Sequence, residues 1–384
     1  MSTSTHAAVR EADSAYAWWR LVATLGLMTV GSSAMYVVAV VLPPVQAEFG
    51  VARSDASLPY TLLMVGFGVG GVLMGRLADR HGVMVPVLIG AGGLGLGFAG
   101  AALAPGIGSF AVIHGLLLGL LGSSATFAPL VADTSAWFVR RPGSCRWRTA
   151  YFGLAALCAV AMPLLALALR PRAPAVAPAP VTARRTAVPS DRPFGLSLNA
   201  AQALLCVAGV ACCVAMSMPQ VHIVAYCGDL GYGAARGAEM LSLMLACGIA
   251  SRLISGAICD RIGGLRTLLL GSVLQGVALL LFIPFDSLVS LYVISALFGL
   301  FQGGIVPSYA IIVREYFPAR EAGARVGTVL MCTLLGMALG GWMSGKIFDL
   351  TGSYHAAFIN GVAWNLVNLA IVLVLLARVR ARSA

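Results

Sequence analysis

The chain is predicted to be all-helical and to cross a membrane many times. Three observations carry this. Of its 384 residues 59% are hydrophobic and only 10% charged, against about 25% charged in ordinary soluble proteins. The apolar residues fall into long runs, and a hydrocarbon core about 30 Å thick takes about 20 of them per helix. The 45 glycines suit helices packed in lipid, where close approach through small residues replaces the hydrophobic drive to associate. A water-soluble protein is excluded. The formal charge of +11 comes from 24 arginines and Lys346, mostly in short loops and tails, as expected of cytoplasmic segments, so no nucleic-acid partner is needed to explain it.

Taken in order, residues 1–18 form a polar tail with no cleavable leader, so the first apolar run is a retained span. Runs bounded by Arg, Pro and Gly predict spans at 20–42, 57–78, 83–104, 110–137 and 149–169, which make a first bundle over 19–169. Arg170 to Arg192 is rich in proline, alanine and arginine with one acid, Asp191, and reads as a flexible cytoplasmic linker within 170–199. Spans at 200–226, 236–258, 266–285, 288–313, 324–346 and 355–377 make a six-helix bundle over 200–378, and 379–384 is a basic tail. Eleven spans are expected in all. Most of the nine cysteines lie inside apolar runs and no Cys/His pair has metal-site spacing, so they are expected as small packing residues without a disulfide framework.

The two halves share a repeat. GRLADRHG (Gly75–Gly82) follows the second span and GAICDRIG (Gly256–Gly263) the seventh, 181 residues later. Both read Gly-x-x-x-Asp-Arg-x-Gly between the second and third spans of their half. Internal repeats are how many transporters are built. On this motif the chain resembles the major facilitator superfamily, an all-α, two-bundle membrane fold. Six further runs are similar to its monocarboxylate-transporter-like and oxalate/formate-antiporter-like branch: the first span around Tyr36, EFGVARSDASLPYT (Glu48–Thr61), WFVRRPG (Trp137–Gly143), HIVAYCGDLG (His222–Gly231), REYFP (Arg314–Pro318) and FDLTGSY (Phe348–Tyr354).

The chain departs from that pattern in helix number. The family has twelve helices, with termini and central linker in the cytoplasm. Trp137–Arg141 resembles the cytoplasmic end of the family's helix four, and Trp147–Tyr151 the outer start of helix six, yet only Pro142–Arg146 separates them. About 30 residues, one span with its loop, are missing, as if helix five were absent. With the family's orientation 21 arginines lie on the cytoplasmic side, only Arg53 and Arg236 lie outside, and Arg252 is within a span; inverting the second half would move 13 arginines outward. The positive-inside bias therefore keeps the second half in its usual orientation. Segment 149–169 must then be re-entrant or distorted, or the early helices frustrated.

The resemblance implies that Gly75, Asp79, Arg80 and Gly82, with Gly256, Asp260, Arg261 and Gly263, form a cytoplasmic clamp. In it the Asp holds a neighbouring helix start or an Arg, and lets go as the transporter turns inward; the plainer reading is a solvated turn. Arg252 lies eight residues before Asp260, about 12 Å into the helix from the membrane edge. A charge there needs a cavity or a partner. The branch has a matching arginine that grips a substrate carboxylate, a role suited to the guanidinium fork, while snorkelling to the interface is the alternative. The acid that some members place four residues earlier is here Gly248. Asp133, His222 and Glu239 are the alternative coupling candidates, and Tyr36 matches a pocket tyrosine of the family's first helix. The Gly92–Gly97 run sits in a span and follows no strand, so it is no dinucleotide loop.

The expected function is secondary active transport of small organic anions, monocarboxylates among them, by alternating access. A degenerate homologue that does not transport, and a drug efflux pump, are the alternatives. No enzyme is expected, because no nucleophile–base or paired-acid constellation falls in one membrane cavity. The expected chain is a monomer in the plasma (inner) membrane, without a cofactor or nucleic acid, taking an organic anion, with a coupling proton as the candidate second partner.

Overall fold

The computed structural model describes residues 15–81, 84–127, 192–318 and 321–383. They form helices joined by short turns, with no strand among the described residues. In order these are α1 (Ala15–Phe49), the short α2 (Arg53–Ala56), α3 (Leu58–His81), α4 (Met84–Ala102), α5 (Ile107–Ile113), which runs into a π-helical stretch (His114–Ser123), and α6 (Ser124–Phe127). After a 3₁₀ turn at Pro193–Gly195 come α7 (Leu198–Asp229), α8 (Ala234–Ile262), α9 (Gly264–Leu281), α10 (Leu288–Gln302), α11 (Ile305–Tyr316), α12 (Ala322–Thr351) and α13 (Tyr354–Ser383). Nine stretches among the described residues are long and apolar enough to cross a membrane, and Ile107–Ser123 is a shorter apolar helix. Lipid leaves no partner for an open backbone group, so each crossing satisfies its own as a helix. The expected fifth span at 149–169 and the end of the fourth lie outside the described residues.

The chain divides into two compact units. One contains the described residues up to Tyr36 and from Gly66 to Phe127; the other contains Val37–Val65 together with α7 to α13. The sequence assigns Val37–Val65 to the first half, yet in the structure this piece packs on the later helices.

In the first unit small residues set the helix spacing. A Cβ added at Gly90, Gly93 or Gly97 of α4 would come within 2.7, 2.7 and 2.6 Å of Ala125, Leu121 and Leu118, and additions at Gly66 and Gly70 of α3 would meet the carbonyls of Gly115 and Leu120. The glycine-rich run of α4 is therefore a packing surface for the π-helical stretch. His114, fully buried at the start of that stretch, bonds through Nδ1 to the Phe110 carbonyl at 2.7 Å.

In the second unit α12 lies against α7, with Gly336 over the Val210 carbonyl and Gly340 over Val214; a Cβ at either position would sit 2.5 Å from the facing carbonyl oxygen. Buried polar side chains link the helices. Asn365 donates to Gln275, which donates to the Cys212 carbonyl, and Tyr309 donates to Asn368, which donates to Ser272. These asparagines and Gln275 act as the interhelical glue that polar residues in apolar runs supply. The span expected at 288–313 is broken at Gly303–Gly304. There α8 comes so close that a Cβ at Gly303 would be 2.7 Å from that of Ser251, and one at Gly304 would overlap Ser255. All seven described cysteines are free thiols.

Candidate functional site: a buried arginine cluster at one end of the second unit

The turn between α1 and α3 carries the single helical turn α2, whose start has no side-chain cap of its own. Asp349, near the end of α12, supplies one: its Oδ1 and Oδ2 accept the backbone N–H groups of Arg53 and Ser54, each at 2.8 Å. The approach requires glycine at position 345, where a Cβ would lie 3.0 Å from the backbone of Arg53 and Ser54. Four residues earlier Gly341 admits the Tyr60 ring, and Thr61 donates to the Ala338 carbonyl at 3.2 Å.

Arg53 is only 8% exposed. Its guanidinium forks onto Asp229 at the end of α7, Nη1 to Oδ2 at 2.8 Å and Nη2 to Oδ1 at 3.2 Å. Nη1 also donates to the Tyr354 hydroxyl at 2.8 Å, and the Phe348 ring lies 4.3 Å from the guanidinium carbon. Such a planar cation satisfies a carboxylate, a phenol and an aromatic face together, which an ammonium would not. His222, fully buried in α7, completes a relay. Its Nε2 lies 2.8 Å from the Gly341 carbonyl and its Nδ1 3.0 Å from the Tyr354 hydroxyl. A carbonyl only accepts, so these bonds assign the proton to Nε2 and leave Nδ1 as acceptor. Tyr354 then donates to His222 and accepts from Arg53. The relay runs from Gly341 through His222, Tyr354 and Arg53 to Asp229, while the buried Arg53 Nε has no hydrogen-bond partner among the described residues.

The opposite end of the second unit is built differently. The second motif copy closes α8 and turns at Gly263, whose φ of 84° favours glycine. Gly264 opens α9, and its N–H is taken by the Glu315 carboxylate at 3.1 and 3.2 Å. Asp260 and Arg261 are exposed, and neither makes a hydrogen bond or ion pair among the described residues. Glu315, in the REYFP run, thus holds the start of α9. Nearby, Arg325 donates to Glu321 at 2.7 and 2.9 Å and to Gln202, joining the starts of α12 and α7.

The remaining expected residues are spread out. Asp79 and Arg80 lie in the last turn of α3, Arg80 exposed; Gly75 is in the same helix, and Gly82 is outside the described residues. Arg252 is exposed, next to Ser251, which is buried against Gly303. Tyr36 is half-buried in α1. Glu239 pairs with Arg236 at 3.0 Å and accepts from Tyr292. Asp133 lies outside the described residues. Of these residues only His222 joins the cluster. Arg53, Asp229, Asp349 and Tyr354 were not singled out from the sequence, although all four lie in runs quoted for the branch resemblance, and Arg53 is one of only two arginines that the charge distribution places on the outer side.

A family model described as Major Facilitator Superfamily matches residues 114–288 and 205–384. Monocarboxylate transporter 13 of Rattus norvegicus is 31% identical over 144 residues, 37% of this chain and 34% of that protein, so the chain spans about a third of this relative. The probable chloroplastic anion transporter 2 of Oryza sativa subsp. japonica is 30% identical over 260 residues, 67% of this chain and 40% of that protein. Among solved structures the nucleoside transporter NupG superposes with a TM-score of 0.68 at 13% identity, over 94% of this chain and 99% of that one. With the family match covering more than half of the chain, and with the helical fold and the Gly-x-x-x-Asp-Arg-x-Gly motif twice in the sequence, the chain belongs to the Major Facilitator Superfamily, a family of transporters and not of enzymes.

Proposed function

We propose that the chain is a secondary transporter of small organic anions, monocarboxylates among them, and that it works by alternating access. The observation that carries this reading is the contrast between the two ends of the second unit. At one end Arg53 ties the α1–α3 turn to α7, α12 and α13 through Asp229, Asp349 and Tyr354. At the other, the clamp residue Asp260 has no hydrogen bond or ion pair among the described residues. The Arg53 end would face outward by the positive-inside rule. The repeated motif is then the cytoplasmic clamp in its released state. The chain would sit as a monomer in the plasma membrane, tails and linker in the cytoplasm, with six helices after the linker and the first bundle before it.

The anion preference rests on Arg252 and on the relatives, a monocarboxylate transporter and an anion transporter by name. In this reading Arg252 grips the substrate carboxylate in the middle of α8, with Tyr36 as a second donor. The test is uptake of labelled short-chain carboxylates into proteoliposomes. Arg252→Ala should abolish saturable uptake without loss of expression, and Arg252→Lys should restore little, because the planar fork is gone. Wild-type uptake unaffected by Arg252→Ala would overturn the assignment.

His222 is the coupling residue we favour over Asp133 and Glu239, since it touches the closure itself. A proton on Nδ1 would replace the acceptor that Tyr354 uses with a donor. It would also add a charge beside Arg53, with Asp229 and Asp349 as the facing carboxylates and Tyr354 and Tyr226 as the facing phenols. Protonation would therefore loosen the closed end. His222→Gln should flatten the pH dependence of uptake while leaving counterflow intact; an unchanged pH profile would exclude His222.

A second reading is a homologue that inserts but does not cycle. It rests on the five-residue interval Pro142–Arg146 between runs that belong on opposite membrane faces. The same uptake assay separates the two, since saturable carboxylate transport by the 384-residue chain would exclude it.

A further inference from the structure

We propose that the second unit binds an anionic phospholipid at the end that carries Gly263, with the headgroup phosphate between Arg266 of α9 and Arg380 of α13. A cavity of about 220 Å³ opens there, with the apolar side chains of Ile262, Leu265 and Leu376 beside Tyr316 and the two arginines. Arg266 is exposed and has no hydrogen bond or ion pair among the described residues, so its guanidinium donors are available to an anion. Two acids stand nearby. Glu315 is occupied by the Gly264 N–H, and Asp260 lies on α8 beside Arg261. Arg378 adds further positive charge at the same end.

Below each arginine runs an exposed aliphatic stripe. On α9 Leu270, Val273, Val277 and Leu280 follow Arg266 at intervals of four and three, each at least 42% exposed. On α13 Leu373, Leu366 and Ile359 precede Arg380 at intervals of seven, at 48%, 57% and 57%. Those spacings keep each set on one helix face. The α9 stripe extends about 21 Å from its arginine, enough to cover one leaflet of a hydrocarbon core about 30 Å thick. The two helices pack side by side. Positive charge at the membrane border above two exposed aliphatic faces fits a two-chain lipid with a phosphate headgroup better than a free anion, which would gain nothing from the stripes. Basic pockets between helices on the cytoplasmic side hold anionic lipids by the same chemistry.

The test uses the full chain purified in detergent, with native mass spectrometry after titration of phosphatidylglycerol or phosphatidylcholine. Phosphatidylglycerol should be retained preferentially. Arg266→Gln with Arg380→Gln should weaken it about thirtyfold, at roughly 1 kcal/mol per basic residue at the surface. Arg314→Gln, a change of equal charge off both stripes, should leave binding unchanged. Equal retention of the two lipids, an equal loss in Arg314→Gln, or displacement of the lipid by millimolar inorganic phosphate would each overturn the proposal. The readout is binding, so it stands or falls independently of the transport reading.

Discussion

Replacing Arg53 by glutamine should open the cluster at the α1–α3 turn without unfolding the second unit. The fork to Asp229 is worth about 1 kcal/mol, because the Asp229 side chain is 37% exposed and rehydrates when released. The bond to Tyr354 lies among buried groups and adds about 1.5 kcal/mol. Loss of the guanidinium over Phe348 adds about 0.5 kcal/mol. Asp349 still caps α2 through backbone N–H groups, and Tyr354 still donates to His222. The sum, about 3 kcal/mol, shifts the closed-to-open ratio on the order of a hundredfold. Hydrogen exchange read by mass spectrometry on a peptide covering residues 51–58 reports that ratio through the Arg53 and Ser54 amides. Exchange should quicken on the order of a hundredfold in Arg53→Gln and about fivefold in Asp229→Asn, and a double-mutant cycle should return a coupling of about 1 kcal/mol. Unaltered exchange in both variants would refute the view that this cluster holds the end closed.

Gly93→Val should cost about 1–3 kcal/mol and lower the thermal midpoint of the detergent-purified chain, because the new side chain overlaps Leu121; Gly92→Ala, next in sequence but with open space at its Cβ, should not. Glu315→Ala should destabilise the start of α9 by about 1–2 kcal/mol through loss of the acceptor for Gly264. Glu315→Gln, which retains one carbonyl oxygen, should lose about half of that; the check is exchange of the amides at 264–267, and equal rates in all three forms would remove Glu315 from this role.

The long apolar helices among the described residues were legible in the sequence, because lipid thickness sets helix length and forbids open backbone. The turn of the second motif copy was legible for a related reason. Gly263 has positive φ and ends α8 locally, whatever the rest of the chain does. Even so, Leu288–Tyr316 looks continuous in sequence, and only the approach of Ser251 and Ser255 on α8 accounts for the break at Gly303–Gly304. The Arg53 cluster was beyond one-dimensional reading. Its members come from positions 53, 222, 229, 349 and 354, and each alone is an ordinary residue at a helix end or in an apolar run. What joins them is backbone proximity at Gly341 and Gly345, where the lack of a side chain lets α12 reach the α1–α3 turn. A glycine in a membrane helix records that something comes close, and only the tertiary structure decides what.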